Sequence, residues 1–191
     1  MSPTTDSPRR SLTKPQWILL ASTVVLVVVL VAVATVLQGK SDTAGFSPTS
    51  SLVGHHVKGF TLDGLDGGTV TAPWESGHPA VVIFFASYCG PCRHEMPKVA
   101  AYVASHSPSP VDVVAVDAVD QRTAAQAMVK RDKVTFPVGF DPNGTVTTGT
   151  FGFATVPESV FVNAKGIVTN VYYGAIPETK LATGIATLKA A

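Results

Sequence analysis

The chain contains the stretch Val81-Val82-Ile83-Phe84-Phe85-Ala86-Ser87-Tyr88-Cys89-Gly90-Pro91-Cys92. Its uninterrupted apolar run predicts a strand buried on both faces, and a helical pattern follows Pro91. The N-terminus of a helix carries partial positive charge and free N–H groups, which stabilise a thiolate on Cys89. Cys92 would lie one turn inside the helix, close enough to attack a mixed disulfide on Cys89. The stretch therefore predicts a reversible redox dithiol.

A cysteine pair at this spacing also has other uses in proteins. A structural zinc site needs about four ligands, whereas the chain has 2 cysteines and 5 histidines without finger-like spacing. Covalent haem attachment needs a histidine after the second cysteine, where this chain has Arg93. A purely structural disulfide across so short a loop would give little entropic stabilisation. Redox chemistry is favoured, and no metal or cofactor site is predicted.

The N-terminal region has the charge distribution of a membrane segment. The chain has 191 residues, enough for one domain and an extra segment, and its net charge of +1 predicts no nucleic-acid partner. No charged residue lies between Lys14 and Lys40. The apolar residues 17–37 would span about 30 Å as a helix, the thickness of a bilayer core.

Arg9, Arg10 and Lys14 precede this apolar run, and the positive-inside rule then sets the topology. We expect a single-pass cell-membrane protein with an extracytoplasmic domain. The predicted segments are a cytoplasmic tail (1–15), a transmembrane anchor in the lipid bilayer (16–37), a flexible linker (38–51) and the domain (52–191). A cleaved signal peptide is the alternative, although its apolar region is usually about 7–15 residues. Either arrangement exports the domain to an oxidising compartment. A buried soluble helix is disfavoured because the run is apolar on all sides.

The exported part has the alternating pattern of an α/β domain with a mixed sheet. Buried apolar runs and period-two segments predict the strands, and apolar residues at spacings of three and four predict the helices. The predicted strands are 57–62, 69–71, 80–85, 111–116, 138–140, 159–162 and 167–173, and the predicted helices are 91–105, 123–131 and 178–189.

Further motifs extend over the whole domain: Phe60-Thr61-Leu62, Arg93-His94-Glu95-Met96-Pro97, Asp141-Pro142-Asn143-Gly144 and Val156-Pro157-Glu158-Ser159. With the cysteine motif, they make residues 52–191 resemble the membrane-anchored TlpA/ResA/CcmG family of thioredoxin-like thiol–disulfide oxidoreductases. The resemblance implies a thioredoxin-like fold with a mixed central sheet, extra N-terminal strands and one preceding transmembrane helix. It also implies a central insertion of a helix and a strand within about 118–141.

The resemblance also assigns roles in the site. Cys89 would be the nucleophile and Cys92 the resolving thiol, with a reversible disulfide between them. Pro157 matches the cis-proline that faces this disulfide, where it exposes backbone groups of Val156 to a bound peptide. The residues expected to contact substrate are Tyr88, Gly90, Pro91, Val156 and Pro157.

Glu95 has two interpretations at this stage. ResA-like members carry a glutamate three positions after the second cysteine, where it helps to manage the protons of the thiols. The alternative is an ordinary solvated helix glutamate. Plain thioredoxin has a buried aspartate six residues before the first cysteine, but this chain has Ile83 there, which cannot move protons.

The resemblance implies a thiol–disulfide reductase outside the cytoplasm, acting on exported protein substrates such as apocytochrome c. The Gly90-Pro91 dipeptide is that of thioredoxin, which favours a reducing couple. A reducing couple there needs a membrane electron-donor protein as a second partner. The alternatives are a disulfide-forming oxidant and a non-catalytic peptide-binding module.

Overall fold

The computed structural model describes residues 50–152 and 155–190, together with Val25, Leu26 and Val29, which are helical and exposed. Among these residues, no helix has both the length and the apolar character needed to cross a membrane. The predicted cytoplasmic tail, most of the predicted anchor and nearly all of the predicted linker lie outside the described residues.

The described domain consists of seven strands, three α-helices and a short 3₁₀ helix at Pro73–Ser76. The strands are β1 (Thr61–Gly64), β2 (Thr69–Thr71), β3 (Ala80–Phe85), β4 (Asp112–Ala118), β5 (Val138–Asp141), β6 (Glu158–Val162) and β7 (Val168–Tyr173). The helices are α1 (Gly90–Ser105), α2 (Arg122–Arg131) and α3 (Glu178–Ala190).

The strands form one sheet in the order β2-β1-β5-β4-β3-β6-β7. β3 runs parallel to β4 and β4 runs parallel to β5, whereas the other neighbours are antiparallel. The predicted mixed sheet is therefore confirmed. The extra N-terminal strands are β1 and β2, and the predicted central insertion contains α2 and β5.

The first predicted strand is wrong in its position. Residues 57–60 form no ladder, and the strand instead spans Thr61–Gly64. Asp63 and Gly64, which follow the predicted strand, pair with Phe140 and Gly139 of β5. The side chains of Val57 and Phe60 are nevertheless buried. Apolar side chains can thus enter the core from a segment without strand pairing, which is why the pattern misplaced the strand.

Alternate residues of β3 enter two cores, one on each face of the sheet. Ile83 and Phe85 belong to the core that α1, α2 and α3 cover. Val82 and Phe84 belong to the opposite core, where Phe84 packs edge-to-face on Phe151 with centroids 4.9 Å apart. All six residues of β3 are buried. This central strand therefore holds the loop that carries the cysteines at one fixed edge of the sheet.

Candidate active site

The two cysteines form a disulfide at the start of α1, with an S–S distance of 2.04 Å. Cys89 is the N-cap residue of the helix, and the Cys92 N–H donates to its Sγ atom at 3.1 Å. Cys89 is 7% exposed, whereas Cys92 is completely buried. An external thiol or disulfide can therefore reach only Cys89, and a free N–H group is in place to stabilise its thiolate.

The segment before β6 lies against the disulfide. The Val156-Pro157 peptide bond is cis, and the carbonyl oxygen of Val156 lies 3.6 Å from Cys89 Sγ. A disulfide sulfur carries no hydrogen, so this is a contact in the oxidised form. Once Cys89 is reduced, its thiol can donate to that oxygen. The structure thus places the backbone carbonyl of Val156, one of the residues predicted to contact substrate, beside Cys89.

The other residues predicted to contact substrate surround the disulfide on the surface. Gly90 and Pro91 are exposed at the first positions of α1. Tyr88 is 61% exposed although it is a large aromatic residue. An exposed aromatic ring beside a reactive cysteine offers an apolar surface to a bound polypeptide.

The turn before Cys89 is fixed through its backbone at three points. The Cys89 N–H donates to the carbonyl oxygen of Ala86 at 3.1 Å. The Ser87 N–H donates to a carboxylate oxygen of Asp120. The Ser87 carbonyl oxygen accepts a hydrogen bond from Arg93 Nε at 2.8 Å. Sequence reasoning identified neither Arg93 nor Asp120 as a residue that positions this turn.

Glu95 is buried, with 2% of its surface exposed. Its Oε1 atom accepts a hydrogen bond from the Ile176 N–H at 2.7 Å, whereas Oε2 has no partner in the structure. Burial raises the pKa of Glu95 to about 7, although the hydrogen bond from Ile176 partly offsets the rise. Glu95 can therefore exchange a proton near neutral pH.

Two further acids lie at the same edge of the sheet as the disulfide. Asp117 is completely buried near the end of β4, and no backbone N–H donates to its carboxyl group. Burial raises its pKa to about 8, and the negative charge of Asp120 contributes to the rise. Burial also acts on Asp120, but hydrogen bonds, led by that from the Ser87 N–H, hold its pKa below the ordinary value.

Two other buried acids are Glu158, the first residue of β6, and Asp141, the last residue of β5. Glu158 is completely buried without a hydrogen-bond partner on either oxygen, and burial raises its pKa to about 8. Asp141 differs because Thr145, Val146 and Thr147 all donate to its carboxylate. These bonds outweigh its burial and lower its pKa. Asp141 thereby stabilises the turn that follows β5.

A sequence signal for Asp117 and Asp120 was available. Asp117 ends the apolar run inside β4, which is parallel to β3, and Asp120 lies in the loop just after that strand. The carboxyl ends of parallel neighbouring strands lie at one edge of a sheet, which is where ligand sites commonly occur. An acidic residue at that position is therefore close to the loop that carries the cysteines.

The arrangement supports thiol–disulfide exchange. It combines an accessible sulfur at a helix N-terminus, a buried second sulfur and a buried acid that titrates near neutral pH. Within the described ranges, no group of three or more metal-ligating side chains lies close enough to hold a metal ion.

Comparisons with known proteins agree with this chemistry. A family model described as Redoxin matches residues 52–186. The thiol–disulfide oxidoreductase ResA of Halalkalibacterium halodurans is 26% identical over 151 residues, which cover 78% of this chain and 85% of ResA.

Two solved structures are also similar. That of MTB DsbF, in its mixed oxidised and reduced forms, has a TM-score of 0.61 and 32% identity, covering 68% of this chain and 94% of DsbF. A secreted Mycobacterium tuberculosis disulfide oxidoreductase homologous to E. coli DsbE has a TM-score of 0.60 and 25% identity, covering 68% and 96% of the two chains. The chain therefore belongs to the redoxin family, and it is a thiol–disulfide oxidoreductase of the ResA/DsbE type with a thioredoxin-like fold.

Proposed function

We propose that this protein is an extracytoplasmic thiol–disulfide reductase that uses Cys89 as its nucleophile and Cys92 as its resolving thiol. The observation that carries the proposal is the difference in access between the two sulfurs. Cys89 is 7% exposed and receives the N–H of Cys92, whereas Cys92 is completely buried. A substrate disulfide can therefore meet only the Cys89 sulfur.

The reaction follows from this geometry. The Cys89 thiolate attacks one sulfur of the substrate disulfide, a mixed disulfide forms, and the other substrate sulfur leaves as a thiolate. Cys92 then loses its proton and attacks Cys89 Sγ, so the remaining substrate thiolate is released. Two electrons pass to the substrate, and the protein is left as the disulfide seen here. Buried Glu95 is our candidate acceptor for the proton of Cys92.

The reducing direction is supported by the Gly90-Pro91 dipeptide. It is the dipeptide of thioredoxin, whose reduction potential is about −270 mV, well below the about −120 mV of the oxidant DsbA. A reducing couple in an oxidising compartment must be recharged after each turnover. We therefore propose a membrane protein as the electron donor.

The proposed location rests on the N-terminal sequence. Residues 16–37 have the length and apolarity of a membrane anchor, and basic residues precede them. The M. tuberculosis relative is named as a secreted protein, which supports the export of the domain. Exported proteins with disulfides are the proposed substrates, and apocytochrome c is the candidate that the ResA-like relatives suggest.

The decisive measurement is the reduction potential of the Cys89–Cys92 couple, obtained by equilibration with dithiothreitol and with glutathione. We expect a value nearer to that of thioredoxin than to that of DsbA. A value near that of DsbA would instead make the protein a disulfide-forming oxidant. A Cys89→Ser variant with full biological activity would show a peptide-binding role without turnover.

The location has its own test. The protein is isolated from its native membrane and its N-terminus is sequenced. An intact N-terminus is expected for an anchored protein. Ala32-Val33-Ala34 has the small residues of a signal-peptide cleavage site. A mature chain that begins after Ala34 would contradict the anchor but not the export of the domain.

A further inference from the structure

The carboxyl groups of Asp117 and Asp120 lie behind the turn that leads into Cys89. Asp117 pairs in register with Phe85 of the parallel strand β3. The carboxylate of Asp120 accepts the N–H of Ser87, two residues before Cys89. The two acids therefore join the end of β4 to the segment that positions the nucleophile.

Both backbone polar groups of Ser87 are hydrogen-bonded to side chains, and Asp120 is one of the two partners. Its carboxylate binds the N–H of Ser87, while Arg93 Nε donates to the carbonyl oxygen of the same residue at 2.8 Å. Arg93 belongs to the first turn of α1, and Asp120 belongs to the loop between β4 and α2. The backbone orientation before Cys89 is thus set from two separate elements.

The two acids have opposite hydrogen-bond environments. Asp120 accepts N–H groups from Ser87 and, at 2.6 Å, from Gln121, which favours its charged form. Asp117 is completely buried and accepts no backbone N–H, and its interaction with the side chain of Asp120 favours its neutral form. Neighbouring carboxyl groups in such a site cannot both be charged without a large cost, so the pair holds one proton.

The other charged groups that act on Asp117 do not provide a cation paired with its carboxyl group. Arg122 directs its Nη1 atom to the carbonyl oxygens of Gly64 and Leu65, at 3.0 and 3.1 Å. Its positive charge lowers the pKa of Asp117, but burial and Asp120 outweigh it. Asp141 adds a further negative charge. The ionisation of Asp117 would therefore place a second negative charge behind the turn, without the N–H donors that stabilise the charge of Asp120.

We propose that Asp117 and Asp120 are a proton-sharing pair of positioning residues that tunes the Cys89–Cys92 couple through the turn at Ser87. This inference rests on that couple being the reactive centre, as in the proposed function, but not on its direction. When Asp117 loses its proton, the added negative charge opposes the Cys89 thiolate. The reduced form of the protein then becomes less favourable relative to the disulfide.

The test equilibrates the full-length protein with glutathione from pH 6 to pH 9. Two glutathione thiols lose two electrons and two protons to form glutathione disulfide, and the protein disulfide becomes two thiols. The measured quantity is the equilibrium constant for reduction of the Asp117→Asn variant divided by that of the wild type. We expect a ratio near one at pH 6, where the wild-type Asp117 is also neutral.

At pH 9 we expect the ratio to reach about three, the equivalent of half a pKa unit on Cys89. For this two-electron couple the difference is about 14 mV. A ratio that stays constant or falls with pH would overturn the proposal, because a merely structural role gives no pH dependence. A wild-type disulfide that is reduced by neither glutathione nor dithiothreitol would instead contradict the proposed function.

Two further variants keep this test decisive. Asp117→Ala removes the charge without adding a buried amide, and it should give the same rising ratio if the Asn variant does not fold. Asp112→Asn is the matched control, because Asp112 lies at the opposite end of β4 in an exposed pair with His78. Its ratio should not vary with pH. A rise equal to that of Asp117→Asn would refute a specific role for the pair.

The contact between Asp120 and Ser87 is tested by hydrogen exchange at the Ser87 amide. We expect exchange to become about tenfold faster in Asp120→Ala, the effect of losing one hydrogen bond. It should remain near the wild-type rate in Asp120→Asn, which keeps an acceptor oxygen. Equal rates in all three proteins would show that Asp120 does not hold the turn.

Discussion

The Oε1 atom of Glu95 accepts a hydrogen bond from the Ile176 N–H at 2.7 Å and so joins α1 to the segment before α3. The Oε2 atom of Glu95 is buried without a partner. The interpretation of Glu95 as a solvated helix residue is therefore excluded. An acid with only one satisfied oxygen and a pKa of about 7 is suited to proton exchange with nearby thiols.

Substitution of Glu95 by Gln should change the pH dependence of thiol reactivity. Ionised Glu95 opposes the formation of a nearby thiolate, and Gln carries no charge at any pH. We therefore expect the alkylation profile of the reduced variant to move to lower pH and to lose the influence of a group that titrates near pH 7. The rate of alkylation of Cys89 between pH 5 and pH 9 measures this.

The control for this experiment is Glu75→Gln, because Glu75 is exposed. Its profile should coincide with that of the wild type. If the Glu95→Gln profile also coincides with the wild type, then Glu95 does not handle the protons of the thiols and water would have to do so.

The two cysteines should differ in the order of alkylation. Cys89 is 7% exposed and caps α1, whereas Cys92 is completely buried. We expect the reduced protein to be alkylated first at Cys89 and at lower pH, because only its thiolate is both accessible and stabilised by the helix N-terminus. Peptide mapping after brief alkylation identifies the modified residue. Prior modification of Cys92 would reverse the assigned roles.

Replacement of Glu158 by Gln should stabilise the protein increasingly as pH rises. Burial raises the pKa of Glu158 from 4.5 to about 8, so the folded protein holds a proton that the unfolded chain releases. The stability associated with its neutral form is fully present below about pH 4.5 and is lost as pH rises towards 8. Gln has no proton to lose. The free energy of unfolding of the variant minus that of the wild type should therefore increase between about pH 4.5 and pH 8 and then level off.

This difference in the free energy of unfolding increases by at most about 1.4 kcal/mol per pH unit, the value for one proton. Urea unfolding of the oxidised protein at pH 5, 7 and 9 measures it. Glu178→Gln, at an exposed position in α3, serves as the control and should show no such trend. An advantage that is the same at all three pH values would mean that Glu158 does not hold a proton in the folded state.

A methyl group at position 184 should destabilise the fold. Gly184 lies in α3, and an added Cβ would overlap the ring of Phe161, which is completely buried in β6. Alanine improves helix propensity by about 1 kcal/mol, but overpacking a core typically costs about 1–3 kcal/mol. Because the overlapped ring is completely buried, we expect Gly184→Ala to lower the free energy of unfolding.

Urea unfolding compares this variant with Thr187→Ala at an exposed position of the same helix. The control should remain within about 0.5 kcal/mol of the wild type. If Gly184→Ala is as stable as this control, then α3 does not pack closely on Phe161.

The sequence by itself determined the central strand, the active-site helix and the position of the dithiol. A strand buried on both faces needs an uninterrupted apolar run, and β3 occupies all of the predicted residues 80–85. The helix after Cys89 spans Gly90–Ser105, close to its predicted range. These features depend on residues adjacent in the chain, so local composition was sufficient to locate them.

Only the tertiary structure decided the surroundings of the dithiol. The contacts of Glu95 with Ile176 and of Asp120 with Ser87 join residues that are 81 and 33 positions apart. The placement of β1 likewise depends on its pairing with β5. The raised pKa values of Glu95 and Asp117 result from burial by several elements at once. The extent of that burial cannot be predicted from the neighbouring residues in the sequence.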